Sequence, residues 1–196
     1  FCFVKIKSFF ERVASIIVTK EIYEDKKSLK ALYKYFLIGM LVRLIFLPFF
    51  FQRDLLSTYQ RAATTIATGN LLYDFQQLFT NMVHVIYLFI LKSIVPAVNE
   101  IFPILLEKDT WTSWLAFNNA YNVFTVLTLF KALYLIFDLA CMFLILRLTF
   151  DGEPEKKLEV FKFWIFNPVV IFVLYIFARH DIIAIFVTLI ALLLAK

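Results

Sequence analysis

The chain has 196 residues, 62% of them hydrophobic, with a mean hydropathy of +0.82, which excludes an ordinary soluble domain, where about half the residues are apolar. It contains 25 Phe but only 3 Gly and 5 Pro, and its apolar runs are continuous rather than alternating, so long helices are expected and a transmembrane barrel is excluded. The net charge of +5 is concentrated in residues 1–34, at Lys5, Lys7, Arg12, Lys20, Lys26, Lys27, Lys30 and Lys34. That segment reads as a basic stretch on the cytoplasmic face of a bilayer rather than a nucleic-acid arm, because most of the remaining chain needs lipid. Cys2 and Cys141 form no C-x-x-C or Cys/His cluster, which argues against a disulfide framework and a zinc site. The sequence opens on Phe1 and stops at Lys196 directly after an apolar run, as a fragment of a longer membrane protein would.

A span of about 20 apolar residues crosses the hydrocarbon core. The first predicted span covers residues 35–51, with Arg43 inside it and Pro48 near its far end. Residues 54–68 follow as an amphipathic helix, with Leu55, Leu56, Tyr59, Ala62, Ala63 and Ile66 on one face. Thr58, Arg61, Thr64, Thr65 and Thr68 fill the other face, and Gly69-Asn70 stops the helix. Residues 82–98 are apolar but carry His84 and Lys92 and close at Pro96. Further spans are predicted at 123–148, with Lys131 and Asp138, at 161–177, with Asn167-Pro168, and at 182–195.

Charge and parity orient these segments. With the basic N-terminus in the cytoplasm, the first span exits near Gln52. If 82–98 lies in the interface, the span at 123–148 returns inward. Arg147, Lys156, Lys157 and Lys162 then face the cytoplasm, as the positive-inside tendency requires. Residues 52–122 become one long external segment with Arg53, Arg61, Lys92 and Lys108 as its only Lys/Arg, and Tyr73, Trp111, Trp114 and Tyr121 suit an aromatic belt. The expected architecture is all-α: a multi-pass integral membrane helix bundle with interfacial helices in a long first external loop. Residues 1–34 form its cytoplasmic segment and 35–196 one transmembrane domain.

Two polar positions stand out at the external ends of spans. Asp54 has the residue type of a helix N-cap, and equally of a carboxylate that takes a proton from a hydroxyl or holds a cation. Arg179-His180-Asp181 forms a short turn between the last two spans. Such a turn needs polar residues in any case, but here Arg179 is suited to a phosphate, His180 to a hydrogen bond or proton relay, and Asp181 to a metal or an acceptor. Asp138 lies inside a span, where a charge faces protein or water, and a bond to a neighbouring helix is its expected role. Lys131 shares its face, but two helical turns (roughly 10 Å of rise) separate the two, so direct pairing is not expected.

Three blocks carry a resemblance over residues 35–196. They are RLIFLPFFFQRDLLSTYQRAATTIATGNLLY, KALYLIFDLACMFLILRL and FWIFNPVVIFVLYIFARHDIIAIFVTLIALLLAK. In this order they resemble the GT-C superfamily of polyprenyl-phosphate-sugar glycosyltransferases, and the second is similar to a span of the first mannosyltransferases of the GPI anchor. The resemblance implies transfer of a sugar, such as mannose, from a polyprenyl-phosphate carrier to an acceptor on the extracytoplasmic side. It implies membrane lipid and the lipid-linked sugar as partners, inversion at the anomeric carbon, and Asp54 as the catalytic base or ligand of a divalent cation. Arg179, His180 and Asp181 fall where the family has a polar external turn that binds substrate. The chain departs from the family in having Arg53 before Asp54, where relatives often have paired acids, and Ala178 before Arg179, where a Gly is common. A transporter lined by Arg43, Lys131 and Asp138 is the competing reading, although no inverted repeat supports it. A non-catalytic membrane scaffold would leave the polar external cluster unexplained.

Overall fold

The computed structural model of the chain describes residues 22, 24–71, 77–149 and 153–195. Lys5, Lys7, Arg12, Lys20, Cys2 and Tyr73 lie outside the described residues. Every regular element among the described residues is helical. In chain order they are α1 (Lys26–Phe46), α2 (Arg53–Thr68), α3 (Leu78–Ile94), α4 (Pro96–Leu105), α5 (Thr110–Asn118), α6 (Val123–Leu148), α7 (Pro154–Ile165), α8 (Pro168–Ile171), which continues into a π turn (Phe172–Ile176), and α9 (Ile182–Ala195). Two stretches are long and apolar enough to cross a membrane: Val123–Leu148 and the interrupted Pro154–Ile176.

Local chemistry sets the boundaries. The Asp25 side chain accepts from the backbone N–H groups of Lys27 and Ser28 and so starts α1 nine residues before the predicted span at 35–51. Lys30, Lys34 and Arg43 interrupt the apolar stretch of α1. The helix ends at Phe46 because Pro48 has no N–H to extend the ladder. Gly69, at φ 70°, closes α2 in the left-handed region. The predicted segment 82–98 is two helices. Val95, ahead of Pro96, is extended (φ −118°, ψ 107°), and Pro96 takes the first turn of α4. The predicted span 161–177 is likewise divided. The Asn167 side chain accepts from Val169 N and Val170 N, and Pro168 opens a new helix behind it.

The core has two parts. The larger gathers Leu55, Tyr59, Ala62 and Ala63 of α2 against Leu88 of α3, Ile101 of α4, Phe130 and Tyr134 of α6 and Tyr175 of the π turn. The Tyr59 and Phe130 rings stack there at 3.7 Å, and the Tyr59 hydroxyl donates to Phe130 O. The smaller part joins Leu32 of α1, Met142 and Leu146 of α6, and Phe161 and Ile165 of α7. Helix α1 therefore runs from the smaller cluster to the larger, and α6 runs back antiparallel to it.

Charged side chains tie these helices together in the interior. Asp138 Oδ2 accepts from Arg43 Nε at 2.6 Å and from the Tyr175 hydroxyl at 2.8 Å, and Oδ1 accepts from Trp164 Nε1 at 2.8 Å. Arg43 Nη1 also donates to Gly39 O and to Ile165 O, a carbonyl next to the break between α7 and α8. Lys131 Nζ donates to Phe46 O, Phe50 O and Tyr175 O, so one ammonium closes the end of α1 and a carbonyl of the π turn. Asp138 and Lys131 do not pair with each other; each serves different helices. Gly39 lets α1 and α7 approach, since a Cβ there would sit 2.2 Å from Ile165 Cγ1.

Candidate functional site

The π turn delivers the polar turn to α2. Phe177 N donates to Phe172 O and Arg179 N to Val173 O, a wider closure than an α-helical turn makes. Ala178 then adopts φ 60°, the only positive φ at a non-glycine among the described residues. That reversal turns Arg179 and His180 back over the first turn of α2.

Arg179 Nη1 meets Asp54 Oδ2 at 2.8 Å, and Arg179 Nε meets Asp181 Oδ2 at 3.1 Å. All three side chains are about half exposed, at 40% for Arg179, 50% for Asp54 and 52% for Asp181. The bonds and charge of Asp181, followed by those of Asp54, raise the Arg179 pKa above its ordinary value, so the guanidinium stays charged. Asp54 is not the N-cap of α2. Gln52 holds that position without a side-chain bond, and Asp54 lies in the first turn with its carboxylate turned to Arg179. A carboxylate in the first turn still suits the helix dipole.

His180 reaches α2 through Thr58. The Thr58 hydroxyl donates to Asp54 O at 2.8 Å, so its oxygen is an acceptor for His180 Nδ1 at 3.4 Å and for Arg61 Nη2 at 3.3 Å. This assigns the proton of a neutral His180 to Nδ1 and leaves a lone pair on Nε2. Burial lowers the His180 pKa below its ordinary value of 6.5; Arg61 and Arg179 push the same way, and Asp181 and Asp54 oppose them. Asp54, Thr58, Arg61, Gln77, Arg179 and His180 line one cavity of about 190 Å³. His180 and Asp181 also border a second cavity, of about 320 Å³, with Gln77, Phe79 and Thr80.

The four residues singled out from sequence are thus adjacent, although Asp54 and Arg179 are 125 positions apart. Sequence reasoning does not assign Thr58, Gln77 or Arg61 to the site. A signal for two of them is present, because Asp54, Thr58 and Arg61 recur at i, i+4 and i+7 on α2. His84, read from sequence as an interfacial polar residue, is fully buried. Its Nδ1 donates to Thr80 O at 2.7 Å, its Nε2 accepts from the Tyr134 hydroxyl at 3.0 Å, and its ring meets that of His180 edge-on at 6.0 Å. Asp138, Arg43 and Lys131 lie apart from this site, within the interhelical bonds.

A divalent cation does not fit the donor set. The Arg179 guanidinium occupies the position between the Asp54 and Asp181 carboxylates that such an ion would need. Among the described residues no three His, Cys, Asp or Glu side chains group as metal ligands. No protein family, curated protein or solved structure matches this chain.

Proposed function

We propose that the chain is part of an integral membrane glycosyltransferase of GT-C type, a multi-pass bundle with α2 to α5 in its external loop. It moves a sugar from a polyprenyl-phosphate carrier to a hydroxyl acceptor on the extracytoplasmic side. The observation that carries this reading is the Asp54–Arg179–Asp181 cluster with His180 beside it at one cavity. It supplies both groups the reaction needs, a carboxylate base and phosphate-binding cations. As the acceptor oxygen bonds to the anomeric carbon, the bond from that carbon to the phosphate oxygen breaks. The acceptor proton passes to Asp54, and the electron pair leaves on the lipid phosphate, whose charge Arg179 and Arg61 meet. An incoming phosphate competes with Asp54 for the Arg179 guanidinium, so donor binding itself releases the base. The phosphate leaves as an anion and needs no second carboxylic acid, unlike the leaving groups of glycoside hydrolysis.

The transporter reading finds no open path at its candidate residues. Arg43, Lys131 and Asp138, its candidate path, are held in bonds between helices and are at most 1% exposed.

The test is Asp54→Asn in the full chain, assayed in membranes with polyprenyl-phosphate-linked mannose and other hexoses. The amide oxygen of the substituted side chain can still accept from Arg179, but the group cannot take a proton, so transfer falls by about 10²–10⁴-fold. An exposed ion pair contributes only about 0–1 kcal/mol, so thermal stability stays near wild type. Transfer at the wild-type rate in Asp54→Asn refutes the reading.

A further inference from the structure

A third polar cavity, of about 280 Å³, lies along α2 beside the one that holds Asp54. Ser57 and Arg61 border both. Its remaining walls are Gln60 and Thr64 of α2 and the 105–110 segment between α4 and α5, with Leu105, Leu106, Glu107 and Lys108. We infer that this cavity seats the sugar or polyol acceptor whose hydroxyl is glycosylated, an inference that rests on the transferase reading.

Three observations carry it. The first is lining chemistry. A sugar presents hydroxyls that both donate and accept, together with apolar C–H faces. Ser57 offers both kinds of hydrogen bond, the Thr64 and Gln60 side-chain oxygens accept, Lys108 and Arg61 donate, Glu107 accepts, and Leu105 and Leu106 give an apolar wall. The second is reach. Ser57 stands three residues after Asp54 on the same face of α2, a rise of roughly 4.5 Å. A sugar ring resting against Ser57, at the border of the two cavities, therefore stands within about one helical turn of Asp54 in the adjoining cavity. The third is size. Pockets for drug-sized ligands measure roughly 300–1,000 Å³, so a cavity of about 280 Å³ suits one sugar residue. The Gln60 side chain already donates to Ser113 Oγ of α5 and to Glu107 O, so the wall opposite α2 is held in place.

The experiment measures binding separately from turnover. The full chain in phospholipid nanodiscs is titrated with methyl α-mannopyranoside and methyl α-glucopyranoside, and saturation-transfer NMR reports contact with the ring protons. Wild type and Asp54→Asn should both saturate them. Thr64→Val combined with Lys108→Met should lose the signal while the melting temperature stays constant. Lys108 is exposed and Thr64 half-buried, and the Thr64 hydroxyl donates to Gln60 O of its own helix, a bond the helix does not need. Absence of signal for either glycoside in wild type, or an undiminished signal in the double variant, overturns the inference. Transfer assays separate the two readings. Transfer with an unchanged acceptor KM in the double variant removes the acceptor seat and leaves the transferase. Mapped binding with no transfer from any donor leaves a sugar seat and removes the transferase.

Discussion

Asp138 accepts hydrogen bonds from Arg43, Trp164 and Tyr175, which belong to three different segments. Asp138→Leu strands a buried guanidinium with its counter-charge gone, a loss of about 3–5 kcal/mol. The purified variant should melt well below wild type; an unchanged melting temperature with activity lost would make Asp138 catalytic instead. The pH response has a separate source. Burial lowers the His84 pKa from 6.5 to about 4. As pH falls below 6.5, the unfolded chain takes up this proton first, so stability is complete above pH 6.5 and declines toward pH 4. The full loss from this group is on the order of 3 kcal/mol. A glutamine at position 84 can make both hydrogen bonds but does not titrate, so the decline between pH 6.5 and 4 should flatten in His84→Gln unfolding curves. The structural role of Asp138 is legible from the cost of a charge inside a long apolar helix. Its partner is not, because Arg43 lies 95 residues away and local sequence carries no record of such a pairing.

At the scale of elements, the contact between α1 and α7 depends on one missing methyl. Gly39→Ala places a Cβ against Ile165 Cγ1 and pushes the helices apart, at a cost of about 1–3 kcal/mol. Ile165→Ala clears that space, so the double variant should recover part of the loss. A double-mutant cycle in thermal melts measures the coupling, and strict additivity would show that the helices do not meet there. Element legibility follows the strength of local signals. The sequence places helix α2 to within a residue because its apolar face has helical period and Gly69 gives an unambiguous stop. The breaks at Val95-Pro96 and Asn167-Pro168 are hidden from hydropathy, which does not register a carbonyl released from the ladder. The predicted start of α1 is too late because its first turns are rich in lysine, and only packing on α7 and α6 brings them into the fold.

Across the whole molecule, the cations separate by end. Lys26, Lys27, Lys30, Arg147 and Lys156 lie toward the smaller core cluster, whereas Arg53, Arg61, Lys108 and Arg179 lie toward the larger. Under the proposed topology the first group is cytoplasmic. With Cys2 and Cys141 replaced, single cysteines at Lys30 and Lys156 should resist an impermeant thiol reagent in intact cells. Those at Asn70 and Thr110 should react. Labelling of position 156 from outside would place α3 across the bilayer and reverse every later segment. The adjacency of Asp54 and the Arg179 turn is foreseeable only through this parity, since nothing local links two segments 125 residues apart. The flanking cavity and the Thr58–His180 contact depend on side-chain direction, which parity does not supply.

The Arg43–Asp138 pair also has a consequence for biosynthesis. Arg43 leaves the ribosome 95 residues ahead of its counter-ion. At roughly 5–20 residues per second, the arginine waits on the order of 5–20 s before the carboxylate exists. Under the proposed topology, in a chain inserted as it is translated, α1 passes that interval beside the insertion machinery or at the headgroup level, where a guanidinium is solvated. The emergence of α6 then sets the earliest moment at which α1 can settle among its neighbours. A ribosomal pause between these helices would lengthen the exposure of α1 to quality-control proteases without altering the finished fold.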